Sequence, residues 1–178
     1  NKNNIASALM NMGEYKKARI AYTHLLEDPN LKQANPKIYA KAISSLAYTI
    51  LKSENNYEEV EQLLDEAINV NNEKADLSNL ARINQFYAEL LAKKGDTAQA
   101  IKKAQESFSI AKETYNNDRS LEVLKLLGQL DIANAKAYFE EYSKLNEAVQ
   151  EEERTKRNKF ARIRWETDEV IEKNEILT

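Results

Sequence analysis

The feature that most constrains the fold of this chain is a short pattern that recurs four times. In each copy a small or β-branched residue is followed by a second member four positions later and a third member three positions after that. The copies are Ala18, Tyr22 and Leu25; Val60, Leu64 and Ala67; Ala100, Ala104 and Ser107; and Ala135, Phe139 and Tyr142. Their first members lie 42, 40 and 35 residues apart. Residues spaced by three and four positions share one helix face, so the pattern predicts a repeated helix that packs closely against its neighbours.

A turn signal precedes three of the four copies. The stretches are "MGEYKKA", "ENNYEEV" and "KGDTAQA". Gly13 and Gly95, and Asn55 in the corresponding place, can adopt a positive φ and end the preceding helix. The following helix then begins with a cap, which is Asn56 with Glu59 three residues later and Asp96 with Gln99 three residues later. The pattern therefore predicts pairs of helices joined by tight turns.

Composition agrees with an all-α fold, since only three Gly and two Pro occur in 178 residues. We predict helices near 3–12, 14–27, 36–53, 57–70, 76–94, 96–115 and 119–129, and an eighth from about 131 to the end. Asn35 and Pro36 have the character of an N-cap and a first helical residue. The alternative is an unrelated helical bundle in which the spacing is accidental.

The stretches "MGEYKKARIAY" and "AKKGDTAQAIKKA" resemble the tetratricopeptide repeat family, whose repeats are antiparallel helix pairs of about 34 residues. The resemblance implies an α-solenoid of about four repeats over residues 1–142, followed by a capping or coupling helix over 143–178. The sequence departs from the family pattern at Val60, which replaces a small residue, and at the fourth copy, which lacks a Gly turn.

The resemblance also implies a concave groove, lined by the first helix of each pair, that binds a peptide or a protein. The family's groove positions carry over to Ser45, Thr49, Lys52, Arg82, Gln85, Glu89 and Lys93. Because these side chains are of mixed polarity, we expect the ligand to be held by hydrogen bonds and not to be a lipid.

The C-terminal part predicts one long helix, because neither Gly nor Pro occurs after Gly128. A seam with steps of three and four residues runs through it, and its best members are Phe160, Ile163, Thr167, Val170 and Leu177. Such heptad spacing is typical of helices that pair. A homodimer through this seam and packing against the chain's own helices are both open alternatives.

The segment "EEERTKRNKFARIRWETDEVIEKN", within a match that covers about residues 137–178, is similar to one found in bacterial membrane-anchored tetratricopeptide sensors. Those proteins carry a histidine kinase, as in two-component systems, or a helix-turn-helix regulator beyond the membrane. The resemblance implies that this chain is the extracytoplasmic, periplasmic part of a longer signalling protein, with a membrane segment close to Thr178. A cytoplasmic tetratricopeptide scaffold without a membrane link is the alternative.

The sequence offers no recognisable catalytic chemistry, so we predict a protein that is not an enzyme and needs no cofactor. It contains no Cys and one histidine, His24, so neither thiolates nor a histidine cluster can hold a metal ion. It also lacks a Gly-rich phosphate loop and a serine with a histidine base.

Six basic residues fall within eleven positions of the C-terminal helix: Arg154, Lys156, Arg157, Lys159, Arg162 and Arg164. They suit phosphate contacts with nucleic acid or lipid headgroups. Acidic residues flank them, however, and Glu152 with Lys156 and Glu153 with Arg157 have the order that favours ion pairs along a helix. We therefore favour a solvated helix surface and expect no nucleic-acid partner.

Overall fold

The structure is a computed structural model that describes the backbone of residues 2–72 and 76–176 and the side chains of 2–71 and 76–168. Within these ranges it is helical and contains no strand, which confirms the predicted all-α class. The helices are α1 (Lys2–Asn11), α2 (Tyr15–Leu26), α3 (Leu31–Ala34), α4 (Pro36–Ser53), α5 (Tyr57–Asn72), α6 (Leu77–Lys94), α7 (Thr97–Glu113), α8 (Asn117–Leu130) and α9 (Ala135–Ile176).

The largest differences between the observed and the predicted helices lie at two places, and the other bounds agree to within about two residues. A four-residue helix, α3, lies between the predicted helices at 14–27 and 36–53. A 3-10 turn at Ile132–Asn134 delays the last helix, which begins at Ala135 and not near 131. The prediction for α4, at 36–53, agrees with the structure at both ends.

Local capping explains several of these bounds. Asn35 accepts a hydrogen bond from the Ile38 N–H at 3.2 Å, and Asp96 accepts one from the Gln99 N–H at 3.1 Å, as predicted. Gly13 and Gly95 have φ values of 76° and 86°, which confirms them as left-handed helix ends.

The prediction for Asn55 was wrong, because Asn55 does not have a positive φ. Among the described residues other than glycine, Tyr115 alone has one. Helix α4 instead ends at Ser53, and its C-cap Glu54 has an extended backbone at φ −141° and ψ 164° while the Glu54 N–H still reaches the Ile50 carbonyl. The chain therefore turns there without a left-handed residue, and Asn56 caps the next helix through the Glu59 N–H at 3.3 Å.

Helices that follow each other in the chain pack in adjacent pairs, and α1, α4, α6 and α8 also contact one another in succession. We call α1, α4, α6 and α8 the first helices. Three apolar clusters hold the assembly together, one among α1, α2 and α4, one among α4, α5 and α6, and one among α6, α7 and α8. Each cluster takes residues from three helices, so no helix pair buries its apolar face alone.

The first three copies of the recurring pattern lie in these contacts. Ala18, Tyr22, Leu64 and Ala100 are fully buried, as the close approach of neighbouring helices requires. The fourth copy differs, because Phe139 is 47% exposed and does not fill an enclosed space. The reason is that α9 covers α8 from one side and has no further helix against its own outer face in the described structure.

Helix α9 packs against α8 through a half-buried face that includes Tyr138, Tyr142, Leu145 and Val149. This packing extends beyond the predicted boundary at residue 142. All described side chains from 150 to 168 are exposed, which corresponds to roughly 28 Å of helix at 1.5 Å per residue. Among the described residues, no helix is both long enough and apolar enough to cross a bilayer.

Candidate functional site

The first helices form the candidate site, because a cavity of about 650 Å³ runs across α1, α4, α6 and α8. We call this cavity the groove. Its lining residues are Ser7, Met10, Asn11, Tyr15, Lys41, Tyr48, Arg82, Gln85, Phe86, Asn116, Asp118, Arg119, Glu122 and Lys125.

The floor of the groove is aromatic. The rings of Tyr48 and Phe86 stack with their centroids 4.2 Å apart, and Tyr15 meets Tyr48 edge-on at 6.4 Å. Burial of Tyr48, followed by the nearby Glu89 carboxylate, raises the pKa of this phenol to about 12 against the opposing effect of Lys52. Phe86 itself is only 3% exposed, so the ring surface that a ligand can reach belongs to Tyr15 and Tyr48, which are partly exposed between polar walls.

Two of the residues predicted to line the groove, Lys52 and Glu89, form an ion pair with each other across α4 and α6. Their side chains are 28% and 14% exposed, and the Lys52 ammonium lies 4.9 Å from the centre of the Tyr48 ring. Burial alone would lower the pKa of Lys52, but the hydrogen bond and the charge of Glu89 outweigh it and raise that pKa. The pair thus links two first helices, and each charge already has its partner.

The other five predicted groove residues lie in three different environments in the structure. Arg82 and Gln85 line the groove. Ser45 and Thr49 are fully buried, because α4 contacts α2, α5 and α6, so they do not face the cavity. Lys93 is exposed near the end of α6 and lines neither the groove nor the smaller pocket described next.

A smaller cavity of about 330 Å³ adjoins the groove at the N-terminal ends of α4, α6 and α8. We call it the N-terminal pocket. It is lined by Lys37, Ile38, Lys41, Asp76, Ser78, Asn79, Arg82, Asn116 and Arg119. Four of these side chains are basic and one is acidic.

Arg82 is the most deeply buried of these cations, with 9% of its surface exposed. Its Nη2 group donates to the Asn79 side-chain oxygen at 2.6 Å and more weakly to the Lys41 carbonyl at 3.3 Å, whereas its Nε has no partner. No carboxylate of the described side chains forms an ion pair with it. Burial, and then the charge of Arg119, lower the pKa of Arg82 to about 10, so it is still protonated at neutral pH.

The neighbouring cations reinforce this positive region. Burial and then the charge of Arg82 lower the pKa of Lys41, although Asp76 acts in the opposite direction. Arg119 donates to the Gln85 side-chain oxygen at 2.5 Å and to Glu122 at 2.6 Å, and its buried Nε also lacks a partner.

Lys41 and Arg119 line both cavities, although the sequence does not predict them as site residues. They lie on different first helices, 78 residues apart in the sequence, and only the stacking of these helices brings them together. The sequence carries one signal that could have located them. Asn35 and Asn116 are typical N-cap residues, so they indicate where the N-terminal ends of α4 and α8 lie.

The predicted seam on α9 is partly described. Phe160 and Ile163 are 71% and 47% exposed, and Thr167 is exposed with its hydroxyl donating to the Ile163 carbonyl at 2.8 Å. The side chains of Val170 and Leu177 lie outside the described residues. Trp165, which lies off the seam, is also 66% exposed.

Four of the six basic residues between positions 154 and 164 of α9 form ion pairs along their own helix. The pairs are Arg154–Glu151, Lys156–Glu152, Arg162–Glu166 and Arg164–Asp168. The predicted pair of Glu152 and Lys156 is present at 2.6 Å, whereas Glu153 and Arg157 form none. Most of the basic charge of this segment is thus balanced locally.

In the part of the chain that the structure describes, no three residues among His, Cys, Asp and Glu are grouped so that they could hold a metal ion. His24 is exposed and makes a 3.0 Å contact with Glu27. A comparison with protein-family models finds none that matches the chain, and a comparison with curated protein sequences finds no significant match.

Proposed function

We propose that this chain is a non-enzymatic binding module of the tetratricopeptide type, an α-solenoid whose groove takes up an extended segment of a peptide or protein. The observation that carries the proposal is the groove itself, which crosses four successive first helices and combines the partly exposed Tyr15 and Tyr48 rings with polar walls. Aromatic surface with a few polar groups around it is the usual make-up of a recognition site.

A relay through α9 is the second part of the proposal. A cavity of about 480 Å³ separates the α7–α8 turn from α9, and its walls include Ser78, Asn116, Val149 and Lys156. Ser78 and Asn116 also line the N-terminal pocket. A ligand that shifts the first turns of α6 and α8 would therefore change the surface against which α9 lies, and α9 would carry this change to its exposed end.

The resemblance of about residues 137–178 to membrane-anchored sensors supports placing this module on the extracytoplasmic side of a bacterial signalling protein. A soluble cytoplasmic scaffold is the competing proposal. The sequence of the full-length protein separates the two, because an apolar segment of about 20 residues shortly after Thr178 is expected only for the anchored sensor.

A selection of random displayed peptides against the 178-residue chain tests the groove. We expect recovered peptides to lose about tenfold or more in affinity when Tyr15→Ala and Lys125→Glu are combined, because both side chains line the groove. Lys102→Glu is the matched control, since this exposed lysine of α7 undergoes the same charge change outside the groove.

The affinities are measured by fluorescence anisotropy with labelled peptides. Lys93→Ala adds a second comparison. Lys93 does not line the groove in the structure, so we expect no change in peptide affinity, whereas the family's groove positions predict a loss. Failure to recover any peptide, or peptides whose affinity is unchanged by the groove substitutions, would contradict the proposal.

A further inference from the structure

We propose that the N-terminal pocket is an anion-binding site that takes an oxyanion, either a carboxylate or a phosphate group. This proposal goes beyond peptide recognition in the groove, since the pocket can bind such a group from a free small molecule. It is supported by the position of three helix ends, by a buried arginine without a counter-charge, and by the balance of charge in the cavity.

Three first helices begin at this pocket. Lys37 and Ile38 belong to the first turn of α4, Ser78 and Asn79 to that of α6, and Arg119 to that of α8. The first N–H groups of a helix lack partners within it, and the peptide dipoles add a partial positive charge at that end. The side chains of the caps Asn35, Asp76 and Asn116 each accept one helix N–H, that of the residue three positions further on, at 3.1 to 3.2 Å.

Arg82 supplies the second and independent observation. It lines the pocket with only 9% of its surface exposed, and its Nε has no hydrogen-bond acceptor. A buried charge without a partner costs several kcal/mol in general, so such groups are normally paired. The acceptors that Arg82 does have, Asn79, Ser44 and the Lys41 carbonyl, are all neutral.

The opposing acidic groups do not cancel this charge. Asp76 faces the pocket, but one of its oxygens is engaged as the cap of α6. Glu122 pairs with Arg119 from the groove side and does not line the pocket. Lys37, Lys41 and Arg82 thus form no ion pair with a described carboxylate, and the cavity has a net positive charge.

The form of the donors indicates an oxyanion. Guanidinium groups present several N–H donors in one plane, which suits the oxygens of carboxylate and phosphate. A cavity of about 330 Å³ has room for such a group together with part of a small molecule.

Nuclear magnetic resonance titration of the intact chain tests the site with two probes, inorganic phosphate and acetate, at constant ionic strength with chloride as the reference anion. We expect at least one probe to produce saturable shifts of the Arg82 Nε–H signal and of the Ser78 and Arg119 backbone amides. Saturation by phosphate alone assigns a phosphate ligand, and saturation by acetate assigns a carboxylate. Shifts that rise linearly with both probes, or that saturate only at other residues, overturn the proposal.

Substitutions complete the test. Arg119→Gln and, separately, Lys41→Gln should each weaken binding of the effective probe by about tenfold or more, because each removes a cation from the pocket. Lys93→Gln on α6 changes charge equally outside the pocket and should leave the affinity unchanged. Circular dichroism verifies that each variant is folded, and the use of two cations keeps the test decisive if one variant unfolds. Equal affinity of folded pocket variants and wild type also overturns the site.

Discussion

The ring of Phe139 on α9 lies directly against Gly128 on α8. A Cβ atom built at Gly128 would lie 2.7 Å from Cζ of that ring and 2.8 Å from Cε2. Glycine in the interior of a helix normally costs about 1 kcal/mol relative to alanine. Its presence here is therefore explained by the close approach of the aromatic ring that joins the last two helices.

Gly128→Ala should lower the free energy of unfolding by about 1 kcal/mol, because the ring must move away from α8 and lose contact. In a Phe139→Ala background the same substitution should raise it by about 0.5–1 kcal/mol, since only the gain in helix propensity is left. Urea unfolding of the four proteins of this double-mutant cycle measures both effects. An equal effect of Gly128→Ala in the two backgrounds would show that the contact has no energetic importance.

Tyr115→Gly should stabilise the protein by about 0.5–1 kcal/mol, because Tyr115 has a φ of 53° and a left-handed backbone is unfavourable for residues with a Cβ. The phenol is 90% exposed, so its removal sacrifices little packing. The two hydrogen bonds at this turn, to Lys112 and Ala111, have the same pattern as those at Gly95.

Gly95→Ala is the reverse control for Tyr115→Gly. No atom lies within 4 Å of the added Cβ, so its expected loss of about 1 kcal/mol arises from the backbone alone. Thermal unfolding followed by circular dichroism measures both variants. A Tyr115→Gly protein that is less stable than wild type would contradict this account of the turn.

Stability should fall as the pH rises from about 10 to 12, with Tyr48 as one cause. Burial, and then the Glu89 charge, raise the pKa of Tyr48 to about 12, whereas an unfolded tyrosine titrates near 10. In this window the unfolded chain has lost a proton that the native chain retains, so the unfolding free energy decreases. The contribution of one such group is at most about 1.4 kcal/mol per pH unit, and solvent access reduces it.

Tyr48→Phe retains the ring and removes this titration, so its stability curve should be shallower than that of wild type above pH 10. Urea unfolding at a series of pH values provides the measurement. The difference between the two proteins should be constant below pH 9, which serves as the internal control. Parallel curves throughout the alkaline range would count against a raised pKa at this position.

The exposed segment of α9 provides a test of the predicted seam. If two copies pair through it, Ile163→Asp should convert a dimer into a monomer, because a carboxylate would enter the apolar contact. Lys159→Asp is the control at a neighbouring exposed position off the seam. Sedimentation equilibrium measures the mass, and a monomeric wild type at high concentration would exclude pairing.

Sequence reasoning succeeded where the controlling interactions are local. The N-caps Asn35 and Asp96 bond to N–H groups three residues away, and the left-handed Gly13 and Gly95 end their helices through bonds that span at most five residues. Such interactions depend on residue type and short spacing, both of which can be read from the chain. Ala18, Leu64 and Ala100 were likewise recognised as contact residues, because their periodicity already defines a buried face.

The sequence by itself therefore determined that the chain is all-α and where most of its helices begin and end. Only the tertiary structure decided that Ser45 and Thr49 are buried, that Lys52 and Glu89 satisfy each other, and that Lys41, Arg82 and Arg119 share one pocket. The physical reason is that burial and charge pairing depend on which helices contact one another. Lys52 and Glu89, for example, are 37 residues apart in the sequence. No local pattern encodes that distance.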